Sequence, residues 1–196
     1  MKRGRLEAFS DGVLAIILTI MVLELKIPSG DSFAALEPMA PVFLSYVLSF
    51  IYVGIYWMNH HHLLHTVQQV SGGILWANLH LLFWLSLIPV VTGWVGTHPS
   101  SPWPAAFYGA VLLMAGVAWL ILQRAIIRTH GQTSELARAI GADRKGNLSA
   151  VLYASAIGLA FVHAMIAEIL YAVVALIWLI PDRRIEAALQ AEWGKK

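Results

Sequence analysis

Cysteine is absent from this chain of 196 residues. The protein therefore has no disulfide framework, no thiolate metal site and no cysteine nucleophile. Charge is also scarce, because only 12% of the residues are Asp, Glu, Lys or Arg, against roughly 25% in soluble domains. Hydrophobic residues make up 59% of the chain, and the mean hydropathy is +0.70. This composition predicts an all-α integral membrane protein.

Long apolar runs, separated by short polar turns rich in glycine and proline, organise the chain. A transmembrane helix needs about 20 consecutive apolar residues, and Gly and Pro mark the turns between such helices. We expect one six-helix membrane domain spanning residues 1–196, with helices at about residues 6–27, 41–65, 74–96, 104–127, 147–163 and 167–180.

The last two of these helices come from one apolar run at residues 147–180. A single helix of that length would be about 51 Å long at a rise of 1.5 Å per residue. The hydrocarbon core is only about 30 Å thick, and tilting does not absorb so large an excess. Two helices joined by a tight turn fit better. We place the turn near residues 163–168, where the strongly polar positions of this run lie.

The distribution of basic residues favours six helices over five. With six helices, the N-terminus, the polar segment at residues 128–146 and the C-terminal tail share one side of the membrane, and 12 of the 13 Lys and Arg residues lie there, counting Arg124 at the edge of the preceding helix. Lys26 alone lies on the other side. The positive-inside rule then places both termini in the cytoplasm. It also explains the pI of about 9.0 without nucleic acid. The polar segment at residues 128–146 is expected to hold a short amphipathic helix on the membrane surface.

The first apolar run carries polar residues that a purely lipid-facing helix would not need. Ser10 and Asp11 lie near its start and Thr19 in its middle. An acid inside a membrane helix is costly and usually faces a bundle interior or water. At 100° per residue, an aliphatic stripe forms along one side of the helix, with Thr19 at its edge; its members are Ile16, Ile20, Leu23 and Ile27. Spacing alone favours ordinary packing in the core or against lipid.

A motif at the start of this run carries more information. Arg5 is followed, after three residues, by Phe9-Ser10-Asp11, and an aliphatic helix comes next. Trp57 and His60 end the second run, Asn78 opens the third, Pro89 and Thr92 close it, and the last run ends in Trp-Leu-Ile-Pro-Asp. This pattern, which extends over nearly the whole chain, resembles the transmembrane protein 175 family. These are potassium channels of endosomes, lysosomes and bacteria that lack a P-loop. A single six-helix unit is similar to the bacterial form.

The resemblance implies a homotetramer in which the first helix of each copy lines a central pore. By register from the Phe-Ser-Asp motif, the pore constriction falls on Ile16, Ile20 and Leu23. Thr19 matches a threonine credited in the family with favouring potassium. The resemblance also implies a structural network between the first three helices, whose matching positions are Arg5, Phe9, Ser10, Asp11, Trp57, His60 and Asn78.

The expected function is therefore a potassium channel, weakly selective against sodium, in the cell inner or plasma membrane. A carbonyl-built potassium filter needs a glycine-rich TVGYG-like loop, and the sequence contains none. A hydrophobic constriction can instead gate by dewetting. The expected partners are further copies of the chain, the lipid bilayer and permeating monovalent cations, with no cofactor and no nucleic acid.

A histidine cluster between His60 and His65 keeps an alternative open, namely a proton-coupled or metal-ion transporter. His61 and His65 are four residues apart on one helix face, a spacing that can bind zinc. No cysteine accompanies them and the nearest acids are distant in sequence, so we predict no metal site. A transporter also predicts inverted repeats, which the two halves do not display. A membrane enzyme would need convergent polar groups at one depth, so we expect no enzymatic activity.

Overall fold

The computed structural model describes residues 2–131 and 143–179, and this part of the chain is helical apart from its turns. The helices are α1 (Arg3–Leu23), α2 (Ala40–His65), α3 (Gly72–Ser86), α4 (Ile88–Thr97), α5 (Pro102–His130), α6 (Arg144–Ala160) and α7 (Ala164–Leu179), with a 3-10 helix at Phe33–Met39 leading into α2. The segment at 132–142, which holds most of the predicted surface helix, and the tail from 180 onward lie outside the described residues.

Four segments of this part of the chain are long and apolar enough to cross a membrane: Arg3–Leu23, Phe33–His65, Gly72–Thr97 and Pro102–His130. The shorter helix α7 is also apolar. These findings confirm the predicted all-helical membrane class. α1 ends four residues earlier than predicted, because Glu24, Lys26 and Pro28 follow it. Ile27 consequently lies beyond the helix.

The third predicted helix is divided in two. α3 ends at Ser86, and α4 begins at Ile88, with Pro89 at its second position. Proline has no N–H to donate to the carbonyl four residues back, and its ring crowds that carbonyl, so it interrupts a helix or begins a new one. The hydrogen bond from Leu87 N–H to the Trp84 carbonyl closes the end of α3. α3 and α4 still form one apolar segment.

The last apolar run also contains two helices, α6 and α7, and the turn between them lies at residues 161–163. This is slightly earlier than the predicted turn at 163–168. Ala160 ends α6 and Ala164 begins α7, and both side chains are buried. Small residues allow helix backbones to approach closely in a membrane. Of the polar positions used to place the turn, His163 lies in it, whereas Glu168 lies inside α7.

Tyrosine hydroxyls connect the helices in the bundle interior. Tyr52 on α2 donates to the Tyr171 carbonyl on α7 at 2.6 Å, and Tyr171 donates to the Ala105 carbonyl on α5 at 3.0 Å. The Ser49 hydroxyl on α2 lies 2.9 Å from the Tyr108 hydroxyl on α5. Lipid provides no hydrophobic driving force between helices, so close packing and hydrogen bonds of this kind hold a membrane bundle together.

Gly109 on α5 provides a test of this packing. A Cβ atom at this position would overlap the Tyr171 hydroxyl and lie 2.9 Å from Cγ1 of Ile157. We expect Gly109→Ala to lower the free energy of unfolding in detergent by about 1–3 kcal/mol, as overpacking commonly does. The control is Gly116→Ala in the same helix, where a Cβ would meet nothing within 4 Å. Equal stability of the two variants would contradict the packing described here.

Candidate functional site

α1 attaches to the bundle along one narrow stripe. The buried side chains recur every three or four residues, as one face of a helix requires, and they are Leu6, Ser10, Leu14, Ile17 and Met21. All five are at most 3% exposed. Within residues 2–131 and 143–179, the other positions of α1 are half-buried or exposed.

The opposite side of α1 exposes the aliphatic stripe predicted to form the constriction. Ile16 is 59% exposed, Ile20 44% and Leu23 80%. A run of exposed positions along this side is spaced alternately by three and four residues, the spacing that lets helices pack against each other around a common axis; the run comprises Phe9, Gly12, Ile16, Thr19 and Leu23. α1 thus offers a second packing surface that the described part of its own chain does not cover.

Thr19 lies on the same exposed side. Its hydroxyl donates to the Ile16 carbonyl in the preceding turn at 2.9 Å. A hydroxyl has one hydrogen and two acceptor lone pairs. Because the hydrogen is used within the helix, the oxygen can accept from, or contact, whatever faces this surface. Thr19 is the polar member of the exposed run in the middle of α1.

A buried chain of hydrogen bonds joins the first three helices. Asn78 Nδ2 on α3 donates to the Ser10 hydroxyl oxygen on α1 at 2.9 Å, and Ser10 donates to the Leu6 carbonyl at 2.9 Å. His60 Nε2 on α2 lies 2.7 Å from Asn78 Oδ1. Since Asn78 donates to Ser10 through its nitrogen, its oxygen accepts from His60 Nε2–H. Ser10, His60 and Asn78 are each at most 1% exposed.

Asp11 and Trp57 form a second connection between α1 and α2. Trp57 Nε1 donates to Asp11 Oδ1 at 3.1 Å, at the bundle surface beside the buried chain. The structure thus brings five of the seven predicted network positions into contact through hydrogen bonds: Ser10, Asp11, Trp57, His60 and Asn78.

The remaining two positions, Arg5 and Phe9, lie outside these contacts. Both are exposed, and within residues 2–131 and 143–179 the Arg5 side chain has no hydrogen bond or ion pair. They belong to the same uncovered side of α1 as Ile16. Neither residue takes part in the hydrogen bonds between α1, α2 and α3 described above, so their predicted structural role in this network stays a prediction.

Sequence inspection did not identify Glu7 as a partner of the histidine cluster. Glu7 Oε1 on α1 lies 3.2 Å from His61 Nδ1 on α2. The two residues are far apart in sequence, and only the antiparallel register of α1 and α2 brings them together. The sequence did contain a signal for this contact, because Glu7 lies one turn before Asp11 on the same face of α1.

These features define a class: a multi-pass helical membrane protein whose N-terminal helix is fixed to the bundle by a polar network and keeps an uncovered aliphatic side. The family model described as "Endosomal/lysosomal potassium channel TMEM175" matches residues 5–89, a span that begins at Arg5 and includes the whole network. A protein of Chryseobacterium sp. (strain P1-3), described as a potassium channel, is 57% identical over 190 residues, covering 97% of this chain and 99% of the relative. The chain belongs to the TMEM175 family.

Two further comparisons concern the fold and a shorter stretch of the sequence. The crystal structure of a lysosomal potassium-selective channel TMEM175 homologue from Chamaesiphon minutus has the same fold, with a TM-score of 0.76 at 23% identity, covering 92% of this chain and 97% of the other. The human endosomal/lysosomal proton channel TMEM175 is 37% identical over 83 residues, which cover 36% of this chain and 16% of the human protein. The resemblance found in the sequence motif is confirmed.

Proposed function

We propose that four copies of this chain form a potassium channel, weakly selective against sodium, with α1 of each copy lining a central pore. The observation that carries the proposal is the uncovered side of α1, where Ile16, Ile20 and Leu23 are exposed while the opposite side is fixed in the bundle. The description of the Chryseobacterium relative as a potassium channel supports potassium as the permeating ion. The structural likeness to the Chamaesiphon protein supports the fold.

In this proposal the constriction acts through its apolar surface. Rings of Ile16, Ile20 and Leu23 offer no ligand to a bare ion, and a narrow apolar ring expels water. Ions therefore cross only when the ring widens enough to stay wet. The Thr19 hydroxyls place oxygen atoms between the apolar rings, where they contact partly hydrated cations. The hydrogen bond to Ile16 leaves their lone pairs directed away from α1.

We place both termini on the cytoplasmic side of the cell inner or plasma membrane. The support is the concentration of Lys and Arg in the N-terminal segment, the segment around residues 128–146 and the tail. In this orientation the Ser10–Asn78–His60 network lies near the cytoplasmic end of the pore, one to two turns before the constriction.

A substitution at Asp11 separates a structural role of this residue from a role in ion permeation. Because its carboxylate accepts from Trp57 Nε1, we expect Asp11→Ala to weaken tetramer assembly more than it alters ion selectivity. The yield of tetramer in detergent and the ratio of potassium to sodium flux per tetramer measure the two effects. Tetramers that form normally but have changed selectivity would show that Asp11 acts on the ions instead.

The direct test of the function is ion flux through purified protein in liposomes. We expect potassium to flow down its gradient without substrate or energy source, with slower sodium flux under the same gradient. A proton gradient with no potassium tests the activity named for the human relative. Strict exchange of protons for another ion would favour a transporter, and the absence of potassium flux would reject the channel.

A further inference from the structure

Three contacts fix the register between α1 and the C-terminal end of α2, and they are spaced one helical turn apart. Each step of four residues forward along α1 is matched by a step of four back along α2, as in antiparallel helices. The contacting pairs are Arg3 Nη1 with the His65 carbonyl, Glu7 with His61, and Asp11 with Trp57. This register places a carboxylate of α1 against the histidine-rich end of α2.

Glu7, His61 and His65 converge at this surface. One ligand atom from each residue lies within 4.8 Å of the other two. The His61 and His65 rings are 4.5 Å apart between centroids, as the four-residue spacing on α2 requires. His61 is 47% exposed and Glu7 20% exposed, so an ion from solution can reach them.

The donor set is one that divalent transition metals use. Two imidazoles and a carboxylate match a three-ligand zinc site that keeps its fourth position for water. Ligand atoms on a tetrahedral zinc ion lie roughly 3.3 Å apart, given bonds of about 2.0–2.1 Å. The 3.2 Å between His61 Nδ1 and Glu7 Oε1 already has this spacing. Rotation of the exposed His65 ring would complete the set.

We infer that Glu7, His61 and His65 form a surface binding site for a divalent transition metal of the zinc class. The ion joins α1 to α2 at the end of the bundle that holds the N-terminus. This proposal departs from the sequence-based expectation of no metal site, which rested on the distance of the acids along the chain. The bound ion reinforces the connection that the Asp11–Trp57 hydrogen bond makes one turn further along.

Titration of ZnCl2 into the full-length protein, purified without a polyhistidine tag, tests the site. Isothermal titration calorimetry should show saturable binding of one zinc per chain, and MgCl2 should give none because magnesium prefers all-oxygen sites. His61→Ala and His65→Ala should each weaken zinc binding by about 100-fold, since loss of even an outer-shell partner costs about 10- to 100-fold. Glu7→Gln should also weaken zinc binding.

His98→Ala is the matched control, because His98 is an exposed histidine in the loop between α4 and α5. It should bind zinc as the unmodified chain does. Zinc should also raise the Tm of the unmodified protein and of His98→Ala, but not of His61→Ala. Absence of saturable binding, or equal binding by all the histidine variants, would overturn the site. Neither readout depends on ion flux, so the outcome is independent of the proposed channel function.

Discussion

Replacing Ile16 with asparagine is expected to raise potassium flux through the reconstituted protein by about tenfold or more. Four amide groups in the constriction would hold water that the isoleucine ring expels. A reduction of only about 1.4 kcal/mol in the barrier to ion passage gives a tenfold increase in rate. Flux is measured in liposomes at equal protein content. Leu23→Ala removes side-chain volume from the same proposed constriction and should also raise the flux.

The control for this prediction is the same substitution at Ile169 on α7. Ile169 is 57% exposed, nearly the same as Ile16, so both variants place an amide on the protomer surface. Ile169→Asn should leave the flux per tetramer unchanged. Leu14→Ala, on the buried side of α1, should affect stability more than flux. Equal flux changes at positions 16 and 169 would contradict a pore-lining role for the exposed side of α1.

Replacing Asn78 with alanine is expected to produce the second large effect, a loss of stability. Asn78 is the central member of the chain that joins Ser10, Asn78 and His60. Its removal leaves the buried His60 Nε2–H without an acceptor and removes the donor to the Ser10 oxygen, and an unsatisfied buried group costs about 1–3 kcal/mol. We expect a lower Tm in detergent and a lower yield of assembled protein, because α1 loses its buried connection to α2 and α3.

Asn59→Ala is the matched control for Asn78→Ala. The Asn59 side chain donates to the Ile55 carbonyl in its own helix, so within the described residues its removal breaks no hydrogen bond between helices. Its Tm should remain close to that of the unmodified protein. If the two asparagine variants lost equal stability, the chain from Ser10 to His60 would not be the connection that holds α1.

Much of this structure follows from local sequence. The length of each apolar run predicts its helix, since a bilayer sets the number of residues that cross it. The stripe containing Ile16, Ile20 and Leu23 follows from the helical period alone. The structure adds that this stripe is the uncovered side of α1. Periodicity did not decide this point, because a stripe against the core and a stripe facing outward have the same spacing.

Other features depend on contacts between distant segments. The pairing of Glu7 with His61 needs the register of α1 against α2, which no local pattern specifies. The turn at residues 161–163 lies between the buried Ala160 and Ala164, and because neither Gly nor Pro marks it in the sequence, the polar positions located it only to within a few residues. The break before Pro89 had a signal in the sequence, because proline cannot donate a backbone hydrogen bond, but the interpretation kept residues 74–96 as one helix.

The central claim is that α1 helices from different copies meet at one axis, and the absence of cysteine makes it directly testable. Single cysteines are introduced by Leu23→Cys and, as a control, Ile169→Cys, and membranes are treated with a short bifunctional thiol cross-linker. Leu23 is 80% exposed in the protomer, so it is free to face its copies. The proposed assembly predicts covalent dimers for Leu23→Cys and none for Ile169→Cys. Monomers alone from Leu23→Cys, or equal dimer yields from both variants, would contradict it.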